Sequence, residues 1–300
     1  MDEIKGKRVL VTGAAGFVGA NLVRELLGRG SEVHALVRPG TDLWRIAEAL
    51  SALALYPVDL TDPDGVKKTV DAVRPEIIFH LAARGVSPLS RDQRDILKTN
   101  VLGTFNLLEA TSPLDYSSFV YLGSSTEYGT KSEPMRESDL LEPVTFFGAT
   151  KAAATLLCRQ FATANNRPVV ILRSFVIYGY WESPPRLIST TIGAALNHRE
   201  LSLTAPGYRH DFIFIEDLVE ACMLTLKATD IGGEIINVGS GRQTTNEEVV
   251  DLIQALTGQK INIRVGEYPA RPGDKTFWVG KWQGKRIVRL GAPPYAEGRT

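Results

Sequence analysis

Cysteine is scarce in this chain of 300 residues, which contains only Cys158 and Cys222. Neither cysteine has a CxxC partner or a neighbouring group of histidines, so the sequence predicts neither a disulfide framework nor a metal site. Both lie in apolar stretches with a helical pattern. We therefore expect two buried thiols that take no part in chemistry.

An excess of charge of one sign is also lacking, because 34 Lys and Arg balance 34 Asp and Glu. A protein that binds nucleic acid regardless of sequence needs a basic excess, so we expect no nucleic-acid partner. No apolar run approaches the ~20 residues of a membrane-spanning helix. The charged start, residues 1–8, has no apolar signal region. These absences predict a cytoplasmic protein that has no membrane partner.

Short β-branched runs alternate with helical patterns up to about residue 175, which is typical of a parallel sheet covered by helices on both faces. We predict an α/β fold: a Rossmann-type doubly wound parallel sheet with a smaller C-terminal cap that binds substrate. The rhythm changes after Arg173, so we expect a dinucleotide-binding domain at 1–175 and a mainly cap-forming part at 176–300, interleaved with the main sheet. The predicted strands are 7–12, 32–37, 53–58, 76–80, 117–122, 168–173, 201–204, 211–215, 234–238 and 261–264. The predicted helices are 17–29, 41–50, 62–73, 91–112, 146–165, 186–197, 216–228 and 245–257.

The first predicted strand runs directly into a glycine-rich turn and then into a helix. Gly13 permits a tight turn, Gly16 lets the backbone approach a pyrophosphate, and Gly19 lets the helix pack against the strand. The N-terminus of the helix, at Phe17 and Val18, offers N–H groups and a positive dipole end to phosphate. This strand–turn–helix context predicts that a dinucleotide binds at Gly13, Gly16, Phe17, Val18 and Gly19.

The end of the second predicted strand indicates which dinucleotide is bound. NAD-binding folds usually place an acidic residue there to hold the ribose 2′-hydroxyl, whereas this chain has Arg38. A guanidinium pairs well with a 2′-phosphate, so the sequence favours NADP(H). Asp42 is near enough in sequence to hold a ribose instead, and NAD remains the alternative.

The spacing Gly-x-x-Gly-x-x-Gly resembles that of the extended short-chain dehydrogenase/reductase family of nucleotide-sugar epimerases, dehydratases and reductases. Further segments resemble the family, in the family's order, along nearly the whole chain: residues 58–60, 80–83, 100–104, 123–129, 147–151, 173–179, 211–221, 237–239 and 271–274. The resemblance implies a nucleotide diphosphate sugar as substrate and a homodimer formed through the helices at 91–112 and 146–165. The cofactor contacts that it implies are Asp59, Leu60, Leu81, Ala82, Ala83, Asn100 and Lys151.

The resemblance also implies a catalytic Ser or Thr, a Tyr and a Lys, of which Ser124 and Lys151 occupy the first and the last position. Phe147 stands at the Tyr position, four residues before Lys151 and therefore on the same face of the helix. A phenyl ring has no proton to give or take, and loss of a general acid/base costs on the order of 10²–10⁴ in rate.

Three interpretations of Phe147 remain open. The first is a deliberate Tyr-to-Phe substitution that traps a substrate. The second is a natural departure in which Tyr128, Tyr178, Thr126 or water moves the proton. The third is a degenerate protein that binds a cofactor or a nucleotide sugar without catalysis.

Members of the family that dehydrate sugars usually follow the active-site Thr with Asp-Glu, and Ser125 and Thr126 stand at those positions here. Dehydration is therefore disfavoured. Together with Arg38, this favours an NADP(H)-dependent 4-keto sugar reductase, which moves a hydride from nicotinamide to sugar C4. A nucleotide-sugar 4-epimerase with retained NAD is the alternative enzyme. The predicted substrate-binding residues are Ser125, Thr126, Arg186, Arg209, His210, Arg271 and Asp274.

Overall fold

Parallel strands form the centre of the molecule in the computed structural model, which describes residues 4–85, 92–269 and 277–281. In chain order the strands are β1 (Arg8–Thr12), β2 (Glu32–Val37), β3 (Ala54–Pro57), β4 (Ile77–His80), β5 (Ser118–Ser124), β6 (Val169–Ser174), β7 (Val176–Tyr178), β8 (Leu201–Leu203), β9 (Arg209–Phe214), β10 (Ile235–Val238), β11 (Gln243–Thr245) and β12 (Ile263–Val265). The α-helices are α1 (Phe17–Gly28), α2 (Pro63–Val73), α3 (Gln93–Leu97), α4 (Gly103–Thr111), α5 (Phe146–Asn165), α6 (Leu187–Leu196), α7 (Ile215–Thr225) and α8 (Asn246–Thr257).

The central sheet has the strand order β3-β2-β1-β4-β5-β6-β10, and every neighbouring pair in it is parallel. The order reverses between β1 and β4. At such a reversal the loops that follow the two strands diverge and leave a crevice at their carboxyl ends, where ligands bind in open α/β sheets. The prediction of a Rossmann-type doubly wound sheet is confirmed.

Helices cover both faces of this sheet, which explains why its central strands are apolar throughout. Val9, Leu10 and Val11 of β1 are all fully buried. On one face the core includes apolar residues of α1 and α7, and on the other it includes those of α2, α4 and α5. Cys222 belongs to the first core and Cys158 to the second, and both are free, buried thiols as expected.

The C-terminal segments divide between the central sheet and a separate small core. β10 pairs with β6 at the edge of the sheet, and α7 packs on the face that carries α1. In contrast, α6 and α8 pack with β8 and β12 in a core of their own. β9 lies between β7 and β11 in a three-stranded sheet. The domain boundary at residue 175 stays a prediction.

Two of the predicted helices are helical but depart from the α-helix, one throughout and one over a single turn. The segment predicted as a helix at 41–50 is a 3₁₀-helix at Trp44–Ala52, and its i→i+3 pattern starts with the hydrogen bond from Ile46 N to Leu43 O. Within the described part of 91–112, a π-helical turn at Lys98–Leu102 separates α3 from α4. Strands β7 and β11 were not predicted; each has three residues and pairs with β9, which lies far away in sequence. None of the described helices is both long enough and apolar enough to cross a membrane.

Candidate active site

The turn between β1 and α1 brings bare backbone close to the loop that follows β4. Gly13 has a φ of +72°, and a Cβ there would lie only 2.7 Å from the Ala82 main-chain nitrogen. A Cβ at Gly19 would lie 2.1 Å from the Gly13 carbonyl oxygen. Both positions therefore require glycine.

The first turn of α1 faces this crevice without a side-chain cap. Gly16 is the N-cap residue, and among the described residues no side chain accepts a hydrogen bond from the first N–H groups of the helix. These donors and the positive end of the helix dipole are what an anion needs. The uncapped helix and the glycine turn fit the pyrophosphate of a dinucleotide.

His80, at the end of β4, connects the turn after β1 to the helical region at 98–111 through a buried hydrogen-bond chain. Thr104 donates its hydroxyl proton to the Asn100 carbonyl (2.7 Å), so it can only accept from His80 Nε2 (2.8 Å). His80 Nδ1 is then an acceptor for the Thr12 hydroxyl (2.7 Å), which itself accepts from Ala82 N (3.3 Å). The contacts thus assign a neutral imidazole protonated at Nε2.

The electrostatics of His80 agree with this assignment. Burial, with a smaller contribution from the Lys151 charge, lowers the pKa of His80 to about 3. The ring therefore stays neutral at physiological pH. Its role is to hold the end of β1 and the helical region at 98–111 at a fixed distance.

Asn100, within the π-helical turn, joins the same loop to the start of α5. Its amide oxygen accepts from Arg84 N (2.8 Å), and its amide nitrogen donates to Arg84 O and to Thr150 Oγ1, both at 2.9 Å. Thr150 in turn donates to the Phe147 carbonyl (2.8 Å). Both amide protons of Asn100 and one lone pair of its oxygen are used in these contacts, so Asn100 positions the loop and the helix that border the crevice.

Two hydroxyl groups lie together where β5 ends. Ser124 Oγ is 2.8 Å from Thr126 Oγ1 and also accepts from Thr126 N. Ser124 is the N-cap of a short 3₁₀-helix at Ser125–Glu127, whose capping box is closed by Glu127. A Cβ at Gly148 would lie 2.6 Å from the Thr126 carbonyl oxygen, so the first turn of α5 packs directly on this turn.

Lys151 lies one turn further along α5 and points into the protein. Its ammonium donates to the Leu122 carbonyl (2.5 Å) and lies 4.2 Å from the centre of the Tyr121 ring. Burial lowers the pKa of Lys151 to about 8, while the Glu127 charge acts in the opposite direction. Phe147 is half-buried on the same helical face. The structure thus brings Ser124, Phe147 and Lys151 to one end of β5 and α5.

The tyrosines named as replacements for the missing phenol differ in how they are placed. Tyr128 is fully buried, and its hydroxyl donates to Asn237 Oδ1 (2.7 Å). Burial raises its pKa to about 12. Tyr178 is half-buried, and burial raises the pKa of its phenol as well. Neither is tuned to exchange a proton near neutral pH, whereas Thr126 directly contacts Ser124.

Sequence reasoning missed a buried ion pair behind Ser124. Glu127 and Arg173 are both fully buried, and Arg173 Nε donates to Glu127 Oε2 (2.9 Å). The other carboxylate oxygen, Oε1, accepts from Ser124 N (2.7 Å). One signal was visible in the sequence, because Ser-x-x-Glu is the spacing of a capping box.

The residues predicted to contact the adenosine half lie at the ends of β2 and β3. Arg38 is exposed; its carbonyl accepts from Thr41 N (3.1 Å), and its guanidinium has no hydrogen bond or ion pair within the described part of the chain. Asp59 accepts from Thr61 through both its amide N–H and its hydroxyl, each at 2.9 Å. Leu60 is buried and packs against Gly103.

The predicted substrate-binding residues differ in whether their side chains already bond to other parts of the protein. Ser125 is buried and accepts from Trp278 Nε1 (3.0 Å), so its side chain is already engaged. Arg186 bonds Glu182 and the Ile177 carbonyl. Arg209 and His210 lie on β9. The predicted ligands Arg271 and Asp274 fall outside the described residues.

A second carboxylate that the sequence analysis did not single out organises the cap side. Asp211, next to His210 on β9, is fully buried and accepts from Ser240 N (2.6 Å), Gly241 N (3.0 Å) and Gly280 N (3.2 Å). Burial raises the pKa of this carboxyl group despite those donors. It ties together three segments that lie far apart in sequence.

Comparison with known proteins gives consistent matches. A model of the NAD dependent epimerase/dehydratase family matches residues 9–239. The UDP-glucuronate 4-epimerase of Thermodesulfobacterium geofontis is 27% identical over 263 residues, covering 84% of this chain and 81% of that protein. Among solved structures, the epimerase Mth375 of Methanothermobacter thermautotrophicus has a TM-score of 0.85 and 30% identity, over 93% of this chain and 84% of that one. MoeE5, solved with UDP-glucuronic acid and NAD, has a TM-score of 0.80 and 33% identity, over 92% and 90% of the two chains.

Proposed function

The chain belongs to the NAD-dependent epimerase/dehydratase family of nucleotide-sugar enzymes, and from this premise we propose that it is a nucleotide-sugar 4-epimerase that retains a nicotinamide dinucleotide. One observation carries the proposal: the Ser124 hydroxyl lies at the carboxyl end of β5, beside Lys151 and the helix that carries position 147. Relatives named as UDP-glucuronate 4-epimerases, and MoeE5 with its bound NAD, support it. The sequence had placed this reaction second to reduction.

The chain's own residues would hold the cofactor along the crevice. The main chain at Gly13, Gly16, Phe17 and Val18 would bind the pyrophosphate, and Asp59 with Leu60 would lie at the adenosine end. Lys151 would donate to the nicotinamide ribose. When bound, the nicotinamide accepts and returns the hydride at sugar C4.

Ser124 would orient the reacting sugar oxygen by a hydrogen bond from its hydroxyl. With Phe147 in place of tyrosine, the proton from that oxygen has to leave by another route. Thr126 supplies one, because its hydroxyl is 2.8 Å from Ser124 Oγ and the residue is partly exposed. A hydroxyl is a weaker acid than the phenol of a tuned tyrosine, so we expect slow turnover.

Changing Phe147 to tyrosine tests this proposal. We expect Phe147→Tyr to raise the rate of 4-epimerisation of UDP-glucose or UDP-glucuronate with NAD by about 10²-fold or more, because it returns a general acid/base to the helical face of Lys151. The matched control is Phe146→Tyr, which adds the same hydroxyl to the exposed neighbouring residue. Product is measured by chromatographic separation of the two sugar epimers.

Each outcome separates the interpretations of Phe147. A rise of at least tenfold in Phe147→Tyr alone supports an enzyme that lacks only its phenol. Full activity without the change supports a different proton route. Inactivity of both proteins towards every UDP-sugar and 4-keto sugar offered would contradict the enzyme proposal and favour a binding protein.

A second candidate is the NADPH-dependent reduction of a 4-keto nucleotide sugar. The specific observation in its favour is the exposed Arg38 directly after β2, whose guanidinium has no partner in the described part of the chain and is able to pair with a 2′-phosphate. Oxidation of NADPH by a 4-keto sugar, without net epimerisation, would identify this activity.

We also propose that the protein is a homodimer. Large apolar side chains on the π-helical turn and on α4 and α5 remain exposed: Leu102 is 50% exposed, Phe105 42% and Leu156 55%. Exposed apolar residues that cluster on neighbouring helices mark an interaction surface. The resemblance to the family supports a second copy of this chain as the partner.

A further inference from the structure

The end of β5 is held from two sides by buried charged groups. Lys151 donates to the carbonyl of Leu122, and Glu127 accepts from the amide of Ser124, so both groups anchor the same three residues. Glycine at 123 makes this possible, because a Cβ there would lie 2.8 Å from Glu127 Oε1. The carboxylate therefore occupies space that a larger residue would fill.

The charges in this cluster do not balance. Arg173 lies opposite Gly123 in the sheet register and is bonded to Glu127 through Nε. Its two terminal nitrogens have no hydrogen-bond partner among the described residues, and its guanidinium stacks on Tyr128 at 4.4 Å. Glu127 is thus the carboxylate that this cluster offers to two buried cations: it bonds Arg173 directly, and its charge also acts on Lys151.

We propose that Glu127 is a positioning residue for the candidate catalytic pair, with two separable effects. Its carboxylate fixes the main chain of Ser124, and its charge keeps the Lys151 side chain in the ammonium form that holds the nicotinamide ribose. This inference rests on the proposed function, because that function assigns the ribose contact to Lys151.

The other titratable groups that act on Lys151 do not substitute for Glu127. His80 stays neutral because burial lowers its pKa to about 3. Burial raises the pKa of Cys158 and of Tyr121 above their ordinary values, so both stay protonated near neutral pH. Without the Glu127 charge, Lys151 has no compensating negative charge among the described residues.

The test is the pH dependence of NAD affinity, measured by calorimetry between pH 6 and pH 9.5 on the full chain. In the parent protein, affinity should decrease as pH rises through the pKa of Lys151, about 8. In Glu127→Gln, which keeps an oxygen acceptor for Ser124 N–H and removes the charge, the decrease should begin about one pH unit lower. The variant should then bind NAD about threefold more weakly at pH 7.5 and about equally at pH 6.

Two further variants separate the effect of the Glu127 charge from its effect on the position of Ser124. Glu127→Asp keeps the charge and shortens the reach to Ser124, so its pH midpoint should stay near that of the parent while any epimerisation rate falls. Glu220→Gln, which removes an exposed carboxylate on α7, should change neither quantity. Weakening of NAD binding by the same factor at every pH would show that Glu127 is only structural.

A second background keeps the test decisive if Glu127→Gln does not fold, since Arg173 would be left buried without its partner. Arg173→Met and the double variant Arg173→Met/Glu127→Gln are compared by the same calorimetry. The NAD affinity of the double variant should decrease at a lower pH than that of Arg173→Met. Equal pH midpoints in these two variants would overturn the inference. If the parent chain binds no NAD at any pH, the proposed function fails, which is a different result from binding with an unshifted midpoint.

Discussion

Replacing Gly13 with alanine tests how closely the cofactor turn and the loop after β4 must approach each other. The residue has a φ of +72°, and an added Cβ would lie 2.7 Å from Ala82 N, a backbone atom that cannot rotate away. The left-handed backbone alone costs about 1–2 kcal/mol for alanine. Forcing the two segments apart adds about 1–3 kcal/mol. We therefore expect Gly13→Ala to lower the free energy of unfolding by about 2–5 kcal/mol.

Gly6 provides the matched control, because its φ is +71° and a Cβ there would meet nothing within 4 Å. Gly6→Ala should show only the backbone cost of about 1–2 kcal/mol. Urea denaturation measures both variants, and calorimetry measures NAD binding, which should weaken at least about tenfold in Gly13→Ala alone because the phosphate-binding turn moves. Equal loss of stability in the two variants would refute the close-approach argument, and so would unchanged NAD affinity in Gly13→Ala.

Three further predictions address the hydrogen-bond chain through His80, the choice of cofactor and the dimer interface. Thr104→Val removes the acceptor of His80 Nε2–H and should destabilise the protein by about 1–3 kcal/mol in urea denaturation, whereas a loss below about 0.5 kcal/mol would contradict the assigned hydrogen-bond chain. Arg38→Ala should weaken NADPH binding at least about tenfold and leave NADH binding within about twofold; equal affinity of the parent for the two cofactors would argue against a role for Arg38. Phe105→Glu should convert a dimer to monomers in light scattering, and Glu220→Ala, an exposed position on α7 at the opposite face of the sheet, should not; a parent protein that is already monomeric would refute the proposed interface.

The central sheet could be predicted from sequence because its signals are local. Each strand from β1 to β6 is a short apolar run between helical patterns, and all four residues of Ile77–His80 are buried in the structure. The π-helical turn could not be predicted, since apolar periodicity continues through Lys98–Leu102 and the extra residue per turn depends on packing. Strands β7 and β11 form only by pairing with β9, a contact between segments far apart in sequence.

The candidate site was predictable where a motif specifies it and unpredictable where tertiary contacts do. The glycine turn, Ser124 and Lys151 stood out by spacing. His80 did not stand out as a link between β1 and α4, because its partners Thr12 and Thr104 lie 68 and 24 residues away. Arg173 looked like a strand residue, and only the structure shows it buried against Glu127.

The surroundings of Phe147 separate the geometry of the site from its proton chemistry. The Thr145 side chain caps the first turn of α5 by accepting from Gly148 N, and the Phe147 carbonyl accepts from Thr150, which Asn100 also contacts. These contacts use main-chain atoms and side chains other than the aromatic ring. Position 147 is therefore held in place whether or not its ring carries a hydroxyl. It follows that the missing hydroxyl is a chemical deficit rather than a structural one, and that a tyrosine placed there would meet a site already arranged to receive it.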